Sequence, residues 1–166
     1  MVGLLRAYGK LPEKFRRQFP LKLVGGWGWK SDEVREMLSR NPWKDSVQYL
    51  GFVEDAELAS LLSRARVMIY PSHYEGFGLP PLEAMACGTP VITTDKGALG
   101  EVVGYAAKIV DPNDEAAMAS AIREVVEDSA LAEDLRQRGL NRVKEFSWMK
   151  TAEQTLGMYQ MLGGQG

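Results

Sequence analysis

Five short apolar, β-prone runs, at residues 21–24, 47–50, 67–70, 91–94 and 107–110, are separated by stretches whose apolar residues recur at helical spacing. This alternation constrains the chain more than any other feature. Strands joined through helices return to the same end of a sheet before pairing, so they pair in parallel, with helices covering the faces. The run 67–70 is apolar at every position, as a strand buried on both faces requires. The expected architecture is therefore α/β, a doubly wound parallel sheet with helices on both faces. Between the runs, Leu4, Leu5, Tyr8 and Leu11 form one stripe over residues 2–11, Pro12 opens a short helix that closes before Pro20, and Ser31 or Asp32 caps a helix to about Arg40. Further helices are expected at 55–64 and 99–103. Three amphipathic segments at about 113–128, 130–145 and 147–162 complete the chain, with Trp148, Met149, Met158, Tyr159 and Met161 read as packing surface. No internal repeat or low-complexity linker appears, so residues 1–166 are expected to form a single lobe.

Composition excludes several classes of function. A formal net charge of −2 over 166 residues gives no basic excess for nucleic acid. The single cysteine, Cys87, has no disulfide partner in the chain, and its neighbours Met85, Ala86 and Gly88 point to a small buried side chain rather than a reactive thiol. No run approaches the length of an apolar membrane span, and no charged start precedes an apolar core and cleavage site. A reducing compartment, the cytoplasm, is the expected location.

The segment Tyr70 to Val91, YPSHYEGFGLPPLEAMACGTPV, carries the chemistry. It places Glu75 and Glu83, with seven residues between them, across a glycine-rich turn from a strand into a helix. Gly76 and Gly78 permit a tight turn and a close approach of backbone amides to a ligand. Pro80 or Pro81 suits the first helical position, with the helix following over 82–86. Unbonded N–H groups and the positive end of the helix dipole favour a diphosphate there. Glu83, about one turn further in, can accept hydrogen bonds from both hydroxyls of a ribose, and Glu75 at the strand exit faces the sugar end of such a ligand.

These residues occur in a longer series of phrases: Leu23-Val24-Gly25-Gly26, VQYLGFV at 47–53, Tyr70-Pro71-Ser72, the segment from Glu75 to Glu83, CGTPVI at 87–92, GALGEVV at 97–103, and Val110-Asp111-Pro112. In this order and spacing the chain resembles the retaining GT-B glycosyltransferases that use nucleotide sugars, specifically their C-terminal, Rossmann-like donor-binding half. The phrase Gly26-Trp27-Gly28-Trp29-Lys30 further resembles bacterial mannosyltransferases of polysaccharide assembly. The resemblance implies that Glu75 contacts the transferred sugar and that Glu83 holds the ribose. It implies that the amides of Gly76, Phe77, Gly78 and Leu79 approach sugar and diphosphate. It also implies that the loop from Gly25 and Gly26 to Lys30 contacts phosphate or nucleotide, and that the backbone near Phe52 and Val53 reads the base. The donor would be a nucleoside diphosphate sugar with no further cofactor. With no Asp-x-Asp and no His and carboxylate cluster at ligand spacing, transfer is expected to be metal-independent; retention of configuration is implied by the resemblance alone.

The departure from the family lies at the N-terminus. Its donor half begins with a strand and a loop carrying an Arg and a Lys, whereas Val2 to Tyr8 here resembles the helix that follows them. In a doubly wound sheet that strand is central, so two neighbouring strands are expected to lack a shared partner. The acceptor-binding half is also absent from this sequence, and the isolated chain is expected to bind donor weakly and to transfer nothing. Membrane association would come only through that half. Read singly, Glu75 is a solvated loop acid and Glu83 an ordinary first-turn charge; their joint context argues for a site. Phe77 is read as a plug beneath the turn, and His73, the only histidine, has no partner identifiable from sequence. Two other classes stay open: a noncatalytic nucleotide-binding module, and a lobe of a GT-B-like nucleotide-sugar epimerase.

Overall fold

A computed structural model describes residues 1–28, 31–40 and 45–163. All five expected strands are present: β1 (Leu21–Val24), β2 (Val47–Gly51), β3 (Met68–Tyr70), β4 (Val91–Thr93) and β5 (Lys108–Ile109). Every pairing is parallel. The helices are α1 (Val2–Gly9), α2 (Glu13–Gln18), α3 (Asp32–Ser39), α4 (Asp55–Arg64), α5 (Leu79–Ala86), α6 (Leu99–Val103), α7 (Glu115–Glu127), α8 (Ser129–Arg142) and α9 (Trp148–Gly163).

Strand parity divides the core into two layers, because successive side chains point to opposite faces. On β4, Ile92 joins Leu4, Leu5, Tyr8, Leu23, Val47, Met118 and Ile122, a cluster built by α1, α7 and the first strands. Its neighbour Val91 joins Leu82, Met85, Val102 and Val103 under α5 and α6. The same split recurs on β3, where Ile69 packs on the first cluster and Met68 on the second. Helices thus cover both faces.

The strands do not form one continuous sheet. Among the described residues β1 pairs only with β2, and β3-β4-β5 form a separate sheet. This break agrees with the expectation, drawn from the resemblance, that two neighbouring strands lack a shared partner. Helices bridge the two sheets instead. α1 packs along α7, and the Tyr8 hydroxyl, on α1, lies 3.1, 3.0 and 3.0 Å from the carbonyl oxygens of Arg16, Phe19 and Ser46.

Helix ends follow their residues unevenly. Asp114 Oδ1 accepts from the amides of Ala116 and Ala117, and Asp128 Oδ1 from those of Ala130 and Leu131, so both caps operate through side chains. Ser31 occupies the cap position of α3 but its hydroxyl makes no cap bond. α9 buries none of its residues, and Trp148 is 80% exposed.

Candidate functional site

The candidate residues lie in the loops that leave the carboxyl ends of β1, β2 and β3, where parallel α/β sheets place their ligands. They fall into two groups. In the first, the Gly25 amide donates to the Gly51 carbonyl at 2.8 Å, and the Tyr49 hydroxyl donates to the Gly25 carbonyl at 2.8 Å. Tyr49 also stacks on Trp27 at 4.1 Å between ring centroids, and the Arg35 guanidinium covers the Trp27 ring at 4.6 Å. Trp27 therefore anchors its loop. Gly26 is exposed, with open space where a side chain would begin. Phe52 projects into solvent at 77% exposure, and Val53 is half-buried. Lys30 lies outside the described residues.

The second group is the turn from β3 into α5. Glu75 is half-buried, and its Oε1 accepts from the Tyr70 hydroxyl at 2.8 Å and from the Ser72 hydroxyl at 2.9 Å. Burial first, and then the Glu75 carboxylate, push the Tyr70 hydroxyl up to about 12. The Glu75 carbonyl accepts from the Ala98 amide at 3.0 Å, so the loop leaving β4 fixes its backbone. Gly78 is buried in the left-handed region at φ 115°, and a Cβ there would lie 2.6 Å from Leu99 Cδ2. No other residue fits that position without strain.

α5 opens at Leu79, ahead of the position expected, and Pro80 and Pro81 are its second and third residues. This changes the anion cradle. Of the N–H groups that a helix start leaves unbonded, the two prolines carry none, so the remaining donors are Gly78 and Leu79, continued backward by Phe77 and Gly76. Among the described residues none of these four amides has a partner within the chain. The cradle is thus a loop with a helix edge rather than a bare helix tip. Glu83 stands exposed one turn into α5 with no side-chain partner.

Phe77 does not plug the core. It is 46% exposed and meets Phe146 edge-on at 6.0 Å, bracing the loop against the C-terminal segment. Arg142 lies over the Phe146 ring at 5.0 Å and donates to the carbonyls of Val102 and Glu101 at 3.0 and 2.6 Å. His73 is exposed, and Cys87, expected to be buried, is half-buried at the end of α5. Among the described residues there is no cluster of three or more His, Cys, Asp or Glu side chains, and no helix is long and apolar enough to cross a membrane. The residues that sequence reasoning passed over are Tyr70 and Ser72, five and three positions before Glu75. Two hydroxyls at a strand exit shortly before an acid were the available signal.

With a parallel α/β fold and a loop-to-helix amide cradle in place, the chain can be set beside known proteins. Residues 1–142 match the family described as Glycosyl transferases group 1, and the chain belongs to that family. It is 42% identical over 160 residues to O-antigen chain mannosyltransferase B of Escherichia coli, covering 96% of this chain and 42% of that relative. Among solved structures, sucrose-phosphate synthase from Thermosynechococcus elongatus superimposes with a TM-score of 0.81 at 31% identity, over 98% of this chain and 43% of the other. HepE of Anabaena, solved in complex with UDP and glucose, shares the fold at a TM-score of 0.81 and 21% identity, over 97% of this chain and 44% of that one. The architecture is that of GT-B glycosyltransferases, and the chain spans less than half the length of these relatives.

Proposed function

We propose that residues 1–166 form the donor-binding lobe of a glycosyltransferase that moves a sugar from a nucleoside diphosphate sugar to an acceptor held by a second lobe outside this chain. Glu75 contacts the transferred sugar and is the catalytic residue. Glu83 accepts hydrogen bonds from the ribose diol, and the amides of Gly76, Phe77, Gly78 and Leu79 face the sugar and the diphosphate. Gly25 and Gly26, with Lys30, approach the nucleotide, and the backbone at Phe52 and Val53 meets the base. As the bond between anomeric carbon and diphosphate oxygen breaks, negative charge grows on the departing diphosphate, and preorganised N–H donors stabilise it. Transfer is metal-independent, with retention of configuration. The UDP-bound HepE structure supports a nucleoside diphosphate as the leaving group.

The observation that carries this reading is the unpartnered run of amides at 76–79 followed one turn later by an exposed, unpartnered Glu83. Polar groups without internal partners at the mouth of a loop are set to receive a ligand, and this pair matches a phosphate beside a diol. The test is calorimetric titration of the chain with nucleoside diphosphates and their sugars, in parallel with Glu83→Ala. Loss of about tenfold or more in nucleoside diphosphate affinity, with an unchanged melting temperature, is expected for a carboxylate that holds two hydroxyls. Undiminished affinity would remove Glu83 from the site.

A further inference from the structure

Glu75 is held more firmly than a loop acid needs to be. Its Oε1 accepts from both the Tyr70 and the Ser72 hydroxyl, at 2.8 and 2.9 Å, whereas Oε2 has no partner among the described residues. Both donors are themselves fixed from behind. The Thr93 hydroxyl donates to the Tyr70 carbonyl at 2.8 Å, and the Thr94 hydroxyl donates to the Ser72 carbonyl at 2.7 Å. Thr93 and Thr94 are fully buried. Tyr70 is further locked by the β3–β4 register, which places it opposite Thr93. Buried hydroxyls at the end of β4 and just beyond it therefore hold the backbone of Tyr70 and Ser72, whose own hydroxyls meet at one oxygen of one carboxylate.

A glutamate side chain loses rotamer freedom when it is ordered. In a loop that loss would otherwise fall on the binding step. Here folding already incurs it, through two hydrogen bonds to a charged acceptor, the stronger kind. The arrangement is also directional, since saturating Oε1 leaves Oε2 as the oxygen offered to an incoming hydroxyl.

We propose that Tyr70 and Ser72 are positioning residues that clamp Glu75 through Oε1 and present Oε2 to a hydroxyl of the donor sugar. This deepens the reading given above and rests on it, because it assumes that Glu75 meets the sugar. The clamp acts on the sugar and not on the nucleotide. It therefore governs the difference in affinity between a nucleoside diphosphate sugar and the bare nucleoside diphosphate.

The experiment measures that difference by calorimetry on the full 166-residue chain, for wild type, Tyr70→Phe, Ser72→Ala, the double variant, Glu75→Ala, and the triple variant. The expected result is a loss of about tenfold in affinity for the sugar nucleotide in the double variant, with affinity for the nucleoside diphosphate unchanged. In the Glu75→Ala background the two hydroxyl changes should add nothing, because what they position is gone. A merely structural role would weaken both ligands together and would persist without Glu75, and either outcome overturns the clamp. If Glu75→Ala removes the sugar's contribution while Tyr70→Phe and Ser72→Ala, singly and together, leave it intact, the clamp fails and the functional reading stands. If Glu75→Ala itself leaves the sugar's contribution unchanged, both fail.

Discussion

Replacing Gly97 by alanine should disrupt the site from a residue that never touches a ligand. Gly97 lies at φ 61°, in the left-handed region, and a Cβ built on it would sit 2.4 Å from the Glu75 carbonyl oxygen and 2.9 Å from the Glu75 nitrogen. Both contacts are to backbone, so no side chain can swing aside to relieve them. The left-handed conformation costs an alanine about 1–2 kcal/mol, and forcing two packed backbone segments apart costs about 1–3 kcal/mol more, giving a total of about 2–5 kcal/mol. For a chain of this size each kcal/mol lowers Tm by about 2–4 °C, so a fall of about 4–20 °C is expected. Thermal melts followed by circular dichroism, with urea titrations beside them, measure it. Gly26→Ala is the control, since a Cβ there meets nothing within 4 Å. Gly97→Ala should also weaken sugar-nucleotide binding, because the segment that must move carries Glu75 and breaks the Ala98 amide bond to it at 3.0 Å. If Gly97→Ala melts together with wild type and Gly26→Ala, the close approach of the two loops is wrong, and with it the account of what fixes Glu75.

Three further outcomes follow from the geometry. Tyr8→Phe removes a hydroxyl that lies 3.1, 3.0 and 3.0 Å from the carbonyls of Arg16, Phe19 and Ser46, of which the Ser46 carbonyl keeps the Leu21 amide at 2.8 Å; urea denaturation should show a loss of about 1–3 kcal/mol. Asp128→Ala deletes the acceptor for two amides at the start of α8, at 2.9 and 3.0 Å, and should cost about 1 kcal/mol in the same assay, with asparagine restoring most of it. The third outcome concerns pH. Tyr70 is raised in the folded state from 10.0 to about 12, so its contribution to stability is complete below pH 10 and disappears as pH rises from 10 towards 12. Comparing urea midpoints at pH 9 and pH 11, the wild type should lose more than Tyr70→Phe; equal losses would mean that burial and the Glu75 carboxylate together do not raise the Tyr70 hydroxyl as described.

Much of this molecule could be read from residue order alone. The alternation of short β-prone runs with helical patterns pointed to five parallel strands and helices on two faces, because strands joined through helices return to the same end of a sheet before pairing. The stripe of Leu4, Leu5, Tyr8 and Leu11 specified the buried face of α1 and of the turn that follows it, and all four are buried. That two strands would lack a shared partner was foreseeable only from the resemblance to GT-B enzymes, whose donor half opens with a strand ahead of the helix that Val2 to Tyr8 resembles. The Glu75 to Glu83 segment was recognisable because a strand exit, a glycine turn and a helix start need particular residues within a few positions of one another.

What sequence could not supply is every relation between residues far apart in the chain. Gly97 reaching the Glu75 backbone, Thr93 and Thr94 bracing Tyr70 and Ser72, and Phe146 meeting Phe77 are all contacts between separate loops or strands. Periodicity records which face of an element is buried, but not which distant atom it will meet. Local chemistry misled in one place: two prolines marked a helix start, yet by occupying its second and third positions they removed half of the donors that such a start would offer. The order of residues thus decided the layers and located the acids, whereas only packing in three dimensions decided which oxygen of Glu75 accepts from Tyr70 and Ser72 and which has no partner among the described residues.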